Sequence, residues 1–175
     1  MREIPQYPYK AIVAKYVEKL ADQVRKGIGL ILWGPYGSGK SAIGCILLKA
    51  LFVKTGQIGL WVRATDIPSF VIEKTSFDSV ETYKDRMASV PLLVIDELIV
   101  RGNDRFRETV VEDLIRERTN EGLATIITTN LPPSELRKRY PALAAVLQEC
   151  SLPIKVHGCD FRKSKRVSLE REFKT

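Results

Sequence analysis

A short glycine-rich segment at residues 34–41, GPYGSGKS, carries residue types that bind phosphate. It matches the pattern G-x-x-x-x-G-K-[S/T] in full, and its glycines let main-chain N–H groups approach phosphate oxygens closely. The ammonium of Lys40 would reach the β- and γ-phosphates, and the hydroxyl of Ser41 would ligate Mg²⁺. The segment therefore predicts a site for a nucleoside triphosphate and magnesium.

The predicted contacts to the nucleotide cover nine consecutive residues. They are Gly34, Pro35, Tyr36, Gly37, Ser38, Gly39, Lys40, Ser41 and Ala42. The side chain of Tyr36 would either cover the nucleotide or project into solvent. An apolar run precedes the segment and a helical pattern follows it, which is the context that phosphate binding at a helix N-terminus requires.

Two adjacent acids, Asp96 and Glu97, end the apolar run LLVIDEL. At such a position the first carboxylate would orient Mg²⁺, and the second would polarise the water that attacks the γ-phosphate. A lone acid after a strand is often only a helix cap. Because both acids follow a complete phosphate-binding segment, they favour hydrolysis over binding alone.

A further polar residue, Asn130, closes the run TIITTN. If this strand lies between the first and third strands, the Asn130 amide would sit beside the γ-phosphate and position the attacking water. By itself, an Asn before Leu-Pro-Pro is only a turn signal. The predicted catalytic residues are therefore Lys40, Glu97 and Asn130, and the predicted metal ligands are Ser41 and Asp96.

These side chains need a scaffold of alternating strands and helices. Branched apolar runs predict five buried strands, at residues 28–33, 58–64, 90–96, 123–129 and 152–157. Helical spacing predicts a leading helix that ends near Gly27, with a buried face of Ile12, Val13, Tyr16, Val17, Leu20, Ala21 and Val24. Further helices are expected at 40–54, within 66–88, at 104–121 and at 134–148, the last broken by Pro141. The alternation predicts an α/β fold with a parallel sheet and helices on both faces.

Composition bears on the number of domains, on disulfide and zinc sites, and on the kind of partner. A chain of 175 residues suits one domain, and neither a secretion signal nor an apolar stretch of membrane-spanning length is evident. The cysteines Cys45, Cys150 and Cys159 form no Cys-x-x-Cys pair, which argues against a disulfide framework or a zinc site and favours the cytoplasm. The single histidine, His157, is interpreted as strand packing. A net charge of +7 is compatible with a polyanionic partner, and the basic run at 161–166 is either a phosphate contact or a solvated tail.

In this order, the motifs GPYGSGKS, LLVIDEL and TIITTNLPPSEL resemble those of AAA+ ATPases of the DnaC, DnaI and IstB type. The similarity runs from about Tyr9 to Arg162 and includes IRERTNEGLATIITTN and the closing GCDFR. It implies a P-loop NTPase (AAA+/ASCE) core, with a five-stranded parallel sheet in a three-layer α/β/α arrangement, that uses ATP and Mg²⁺. The corresponding divisions are an N-terminal segment and helix at 1–27, the ATPase domain at 28–162 and a basic tail at 163–175.

The resemblance also implies partners: a replicative helicase, single-stranded DNA and further copies of the chain in a spiral or ring. DNA would contact the segment RGNDRFRE, where Arg101, Arg105 and Arg107 surround Phe106. In the alternative interpretation this segment is a solvated helix start, capped by Asn103, with Phe106 turned into the core.

This sequence departs from the family pattern at three places. Val146 stands where relatives carry an arginine that reaches the neighbouring subunit's γ-phosphate, so we expect slow hydrolysis unless another arginine substitutes. Arg137, Arg139 and Arg162 are the candidates for that substitution. Only about 27 residues precede the first strand, where loaders usually have a helicase-binding domain, and Leu98 is followed by Ile-Val rather than Gly.

The function predicted from these features is an ATPase of DNA replication that helps load a replicative helicase onto single-stranded DNA. The alternatives are a transposition helper that binds duplex DNA and a transposase, a small-molecule kinase, and a nucleotide-binding scaffold with little hydrolysis.

Overall fold

A computed structural model describes residues 8–72, 83–98 and 105–157 of the chain. Helices and strands alternate along these ranges as the sequence predicts. In chain order they are α1 (Pro8–Glu18), α2 (Leu20–Arg25), β1 (Gly29–Trp33), α3 (Lys40–Thr55), β2 (Leu60–Arg63), α4 (Ile67–Ile72), α5 (Tyr83–Ser89), β3 (Leu92–Asp96), α6 (Arg105–Asn120), β4 (Ala124–Thr129), α7 (Pro133–Arg139), α8 (Pro141–Cys150) and β5 (Ser151–Lys155).

The strands form one parallel sheet in the order β2-β3-β4-β1-β5. Strand β4 therefore lies between β1 and β3, which is the arrangement that the proposed role of Asn130 requires. Parallel strands end at the same edge of a sheet, so the segments that follow β1, β3 and β4 meet there. Ligands of open parallel sheets bind at this carboxyl edge.

Helices cover both faces of the sheet, and the predicted three-layer α/β/α fold is confirmed. On one face α1, α2 and α3 pack on apolar side chains that include Leu32, Val94 and Ile126. On the other face α4 to α8 pack on a second cluster that includes Ile95 and Ile127. Of the three interior strands, β3 and β4 are buried along their whole length, and β1 is buried up to Trp33.

The prediction of five buried strands is wrong for β2 and β5, which form the two edges of the sheet. Trp61 and Arg63 of β2 and Leu152 of β5 are exposed. Apolar runs of this length do not distinguish an edge strand from a central one. Pro153 fits an edge position, because a proline has no N–H to donate to a neighbouring strand.

The leading helix is divided at Lys19 into α1 and α2. Its buried stripe runs through Tyr9, Tyr16, Leu20 and Val24, whereas Ile12 is 46% exposed and Ala21 is exposed as well. The predicted buried face is thus wrong at these two positions, because Tyr9 rather than Ile12 anchors the first turns. Gly27 ends the segment with a φ of 68°, as its position predicts.

Arg118 of α6 is fully buried and was not singled out by the sequence patterns. Its guanidinium donates to the carbonyls of Met87 (2.7 Å), Val90 (3.0 Å) and Ala124 (2.7 Å), and to Thr125 Oγ1 (3.0 Å). Burial lowers the pKa of Arg118 to about 10. The side chain therefore joins α6 to the segments that lead into β3 and β4.

The C-terminal helical segment is divided at Pro141. The predicted break at Pro141 is confirmed, since α7 ends at Arg139 and α8 begins at Pro141. His157 packs edge-on against the ring of Tyr9, with centroids 5.7 Å apart. Among the described cysteines, Cys45 and Cys150 are free thiols. None of the described helices is both long and apolar enough for a membrane crossing.

Candidate nucleotide-binding site

The phosphate-binding segment forms the turn between β1 and α3, and two of its glycines have conformations or contacts that exclude other residues. A Cβ on Gly34 would lie 2.1 Å from the carbonyl oxygen of Val156. Gly39 precedes α3 with a left-handed φ of 94°, which turns the chain into the helix. The N–H groups of the first turn of α3 are thus directed at the turn, as anion binding requires.

A cavity of about 260 Å³ lies against this turn and collects residues from all three motifs. It is lined by Tyr36, Gly37, Gly39, Lys40, Ser41, Ala42, Glu97, Thr128, Thr129 and Asn130. Tyr36 lines it and is also 57% exposed. Ser38 is buried, and within the described ranges its hydroxyl has no hydrogen-bond partner. Pro35 contributes its carbonyl oxygen, which accepts a hydrogen bond from Lys40.

The side chain of Lys40 is buried and holds the turn together. Its Nζ donates to the carbonyl oxygens of Gly34 (2.9 Å) and Pro35 (2.8 Å) and to Oδ1 of Asn130 (2.8 Å). The same ammonium therefore contacts both the turn and the residue after β4. This proximity of Lys40 and Asn130 is the juxtaposition that the order of the strands predicts.

Ser41 and Asp96 meet at the end of β3. The hydroxyl of Ser41 donates to Oδ1 of Asp96 at 2.8 Å, and the Asp96 side chain is buried. A hydroxyl and a carboxylate are oxygen donors of the hard type that Mg²⁺ prefers. This pair of oxygen donors fits a magnesium ion.

Glu97 lines the cavity from an exposed position next to Asp96. Its φ is 55°, and it is the one residue other than glycine with a positive φ in the described ranges. Its N–H donates to Oγ1 of Thr128 at 2.9 Å. Sequence reasoning missed Thr128, and the only signal for it was a threonine pair at the end of a buried apolar strand.

An apolar groove of about 490 Å³ adjoins the cavity on the side of α1. Tyr9 and Val13 of α1 face Ile43 and Ile46 of α3 across it. The groove and the cavity share Gly39 and Ala42, so they adjoin each other at the first turn of α3. Sequence reasoning assigned the apolar residues of α1 to packing alone and missed this surface.

A family model described as IstB-like ATP binding protein matches residues 3–169. The chain belongs to this family. The description of this family names ATP binding, and the cavity after β1 has the residues that would bind the phosphates of ATP.

Two curated relatives match about two thirds of the chain. A Sinorhizobium fredii (strain NBRC 101917 / NGR234) protein, whose name describes an insertion sequence ATP-binding protein, is 29% identical over 122 residues, which cover 70% of this chain and 40% of that protein. The replicative helicase loader DnaI of Bacillus subtilis (strain 168) is 24% identical over 126 residues, which cover 70% of this chain and 39% of that protein. The chain thus spans about 40% of the length of these relatives.

Solved structures of helicase loaders have the same fold. The DnaC helicase loader superposes with a TM-score of 0.69 at 21% identity, over 88% of this chain and 93% of that chain. A structure of DnaI gives a TM-score of 0.73 at 18% identity, over 91% and 87% of the two chains. The IstB-like chain therefore shares the fold of these loaders, and the five-stranded α/β/α core that the sequence predicts is confirmed.

Of the arginines considered as substitutes for the arginine missing at position 146, Arg137 and Arg139 do not line the cavity. Arg137 of α7 donates to the side-chain oxygen of Gln148, in the amide orientation that satisfies both groups, at 3.2 Å (Nε) and 2.7 Å (Nη2). Arg139 lies over the ring of Tyr140 at 5.4 Å, and Val146 is half-buried in α8. Arg162 lies outside the described residues. No described residue of α7 or α8 lines the cavity.

The predicted DNA-contacting segment is described only in part. Arg105, Phe106 and Arg107 begin α6 and are all exposed, whereas Arg101 and Asn103 lie outside the described residues. Phe106 is 56% exposed, so the interpretation that turned it into the core is wrong. It occupies the first turn of the helix, beyond the buried stripe that starts at Val111.

Proposed function

We propose that this chain is an Mg²⁺-dependent ATPase that helps load a replicative helicase onto single-stranded DNA. The observation that carries the proposal is the convergence of Lys40, Ser41, Glu97 and Asn130 at one cavity, with buried Asp96 hydrogen-bonded to Ser41. The similarity to DnaI and to the fold of DnaC supports the loading role. The decisive measurement is ATP turnover by the chain alone, with single-stranded DNA, and with a replicative helicase.

Each of these five residues has a distinct proposed role. Lys40 binds the β- and γ-phosphates, and the turn with the first N–H groups of α3 binds the remaining phosphate oxygens. Ser41 and Asp96 hold Mg²⁺, which when bound neutralises charge on the phosphates. Glu97 accepts a proton from the attacking water, and Asn130 orients that water. Lys40 and Asn130 are already in contact, so a phosphate bound by the first is within reach of the second.

We place the base of the nucleotide in the apolar groove beside the cavity. Ile46 is 56% exposed at the groove, so Ile46→Asp should weaken ATP binding without cost to the core. Val53 lies two turns further along α3, is 73% exposed and does not line the groove, which makes Val53→Asp a matched control. If calorimetry gave the two variants equal affinity for ATP, the base would not bind in this groove.

We place a DNA contact at the start of α6. Exposed Phe106 would stack on a base while Arg105 and Arg107 follow the phosphates, and such stacking is worth about 1–3 kcal/mol per base. Phe106→Ala should therefore weaken binding to single-stranded DNA at least about fivefold, with the salt dependence unchanged. Phe52 is exposed to a similar degree on α3, and Phe52→Ala serves as the control.

The residue at position 146 is the basis for proposing slow turnover, and self-association is proposed with it as a route by which a second copy could supply an arginine. A valine there cannot stabilise charge on the γ-phosphate of a neighbouring subunit, and an arginine finger is worth about 10³–10⁵ in rate. We propose that the chain turns over slowly alone and that a partner or Arg137 or Arg139 of a second copy accelerates it. Arg137→Ala and Arg139→Ala, measured at several protein concentrations, test the two arginines separately.

A transposition helper is the second candidate, because the matching family is IstB-like and one relative is named for an insertion sequence. The two candidates differ in the DNA they would bind. A loader should prefer single strands, and a transposition helper should prefer duplex, at matched salt concentration. A chain that binds ATP but shows no turnover with DNA and helicase present would instead be a nucleotide-binding scaffold.

A further inference from the structure

The backbone directly after β3 has a conformation that needs external support. Glu97 has a φ of 55°, in the left-handed region, although it carries a full side chain. A residue other than glycine in this region costs about 1–2 kcal/mol. Because the direction of the Cα–Cβ bond depends on this φ, the same conformation also decides where the Glu97 carboxylate points.

The hydroxyl of Thr128 connects both acids to β4. Its Oγ1 accepts a hydrogen bond from the N–H of Glu97 (2.9 Å) and donates one to Oδ1 of Asp96 (2.5 Å). One proton and two lone pairs are sufficient for both bonds. Thr128 is 1% exposed, so water has little access to replace either bond.

Two further hydrogen bonds, neither of which uses the side chain of Thr128, hold Leu98 to the same strand. The N–H of Leu98 donates to the carbonyl oxygen of Thr128 at 2.8 Å, and the hydroxyl of Thr129 donates to the carbonyl oxygen of Leu98 at 3.0 Å. These bonds fix Leu98 whatever side chain occupies position 128. The hydroxyl of Thr128 is thus the group that acts on Glu97 and Asp96 specifically.

We propose that Thr128 is a positioning residue, which holds Glu97 in its left-handed conformation and keeps the Asp96 oxygen beside Ser41. This inference rests on the proposed ATPase function and adds to it a residue that acts through Glu97 and Asp96. A valine has the same shape but no hydroxyl, so it would leave the Glu97 N–H without its acceptor and Asp96 Oδ1 with the Ser41 hydroxyl but without the Thr128 donor. Glu97 would then relax towards a right-handed φ, and its carboxylate would turn away from the cavity.

The variants Thr128→Val and Thr128→Ser test the hydroxyl directly, and Thr125→Val is the matched control. Thr125 lies on the same strand and is also buried, but its hydroxyl accepts from Arg118 at the far end of the strand from the cavity. We expect Thr128→Val to retain ATP affinity within about threefold while kcat falls about a hundredfold, the cost of misplacing a catalytic group by about 1 Å. Thr128→Ser should restore kcat, and Thr125→Val should lower stability without lowering kcat.

Amide hydrogen exchange provides a readout that does not depend on catalysis. In Thr128→Val the Glu97 amide should lose protection, whereas the Leu98 amide should keep it, because its acceptor is the main chain. Should Thr128→Val not fold by circular dichroism, Thr128→Ala takes its place with the same expectations. The proposal would be overturned if Thr128→Val turned over ATP at the wild-type rate, or if Thr125→Val lost as much kcat as Thr128→Val. It would also be overturned if the Glu97 amide kept its protection from exchange in Thr128→Val. If the wild-type chain has no turnover, the ATPase proposal fails, and the exchange of the Glu97 amide still decides whether Thr128 fixes that residue.

Discussion

Lys40 and Asn130 are 90 residues apart in the chain, yet Lys40 Nζ lies 2.8 Å from Oδ1 of Asn130. The contact crosses from the turn after β1 to the end of β4, which are adjacent strands. A ligand that draws the Lys40 ammonium towards a phosphate must therefore alter the surroundings of Asn130. The phosphate-binding residue and the residue proposed to orient water are in this way linked by one hydrogen bond.

Lys40→Ala should abolish detectable ATP binding or weaken it at least about tenfold. A hydrogen bond to a charged group contributes about 1.5–3 kcal/mol, and 1.4 kcal/mol corresponds to a factor of ten in affinity. Titration calorimetry with ATP and Mg²⁺ measures this directly. Lys49 is exposed on the outer side of the same helix, so Lys49→Ala should bind as the wild type does. Unchanged affinity in Lys40→Ala would contradict the assignment of the phosphate site.

Glu97→Gln should bind ATP as tightly as the wild type and lose about 10²–10⁴-fold in turnover. The amide keeps the size and the backbone bond to Thr128 but cannot accept a proton, and general-base catalysis is worth about this factor. Binding and single-turnover hydrolysis, measured on the same preparation, separate the two effects. Intact turnover in Glu97→Gln would show that another group activates the water.

The phosphate-binding segment and both acids could be predicted from sequence because their spacing is local. The role of Asn130 could be predicted only on the condition that its strand lies between the first and third strands, and the sheet order meets that condition. Thr128 could not, since its role depends on the φ of Glu97 and on a bond across two strands. The exposure of β2 at the edge of the sheet and the burial of Arg118 also depend on tertiary packing. The spacing of apolar residues along the sequence does not determine either of them.

Arg118→Met should destabilise the fold by about 3–5 kcal/mol, because the carbonyl oxygens of Met87, Val90 and Ala124 would lose their donor while remaining buried. Urea denaturation measures the change in the free energy of unfolding. Arg116 of the same helix is exposed and pairs with Glu112 on the helix surface, so Arg116→Met should change stability by less than about 1 kcal/mol. Similar losses in the two variants would refute the structural role of Arg118.

Tyr16→Phe should change the dependence of stability on alkaline pH. The Tyr16 hydroxyl donates to the carbonyl oxygen of Ile28 at 2.6 Å, and burial raises the pKa of Tyr16 above its ordinary value of 10.0. A group whose pKa is raised by folding contributes stability that is fully present below its unfolded pKa. That contribution is lost as pH rises above 10.0, by about 1.4 kcal/mol for each pH unit up to the folded pKa.

At pH 8 the phenylalanine variant should therefore be less stable than the wild type by about 0.5–1.5 kcal/mol, the net value of one hydrogen bond. At pH 11 the difference should shrink or reverse, because only the wild-type chain has a Tyr16 that ionises on unfolding. Arg118 has a lowered pKa and acts in the opposite direction over this range, but it is present in both proteins and cancels from the difference. Urea denaturation of both proteins at the two pH values checks this, and an equal difference at pH 8 and pH 11 would mean that the hydroxyl of Tyr16 is not held protonated by the fold.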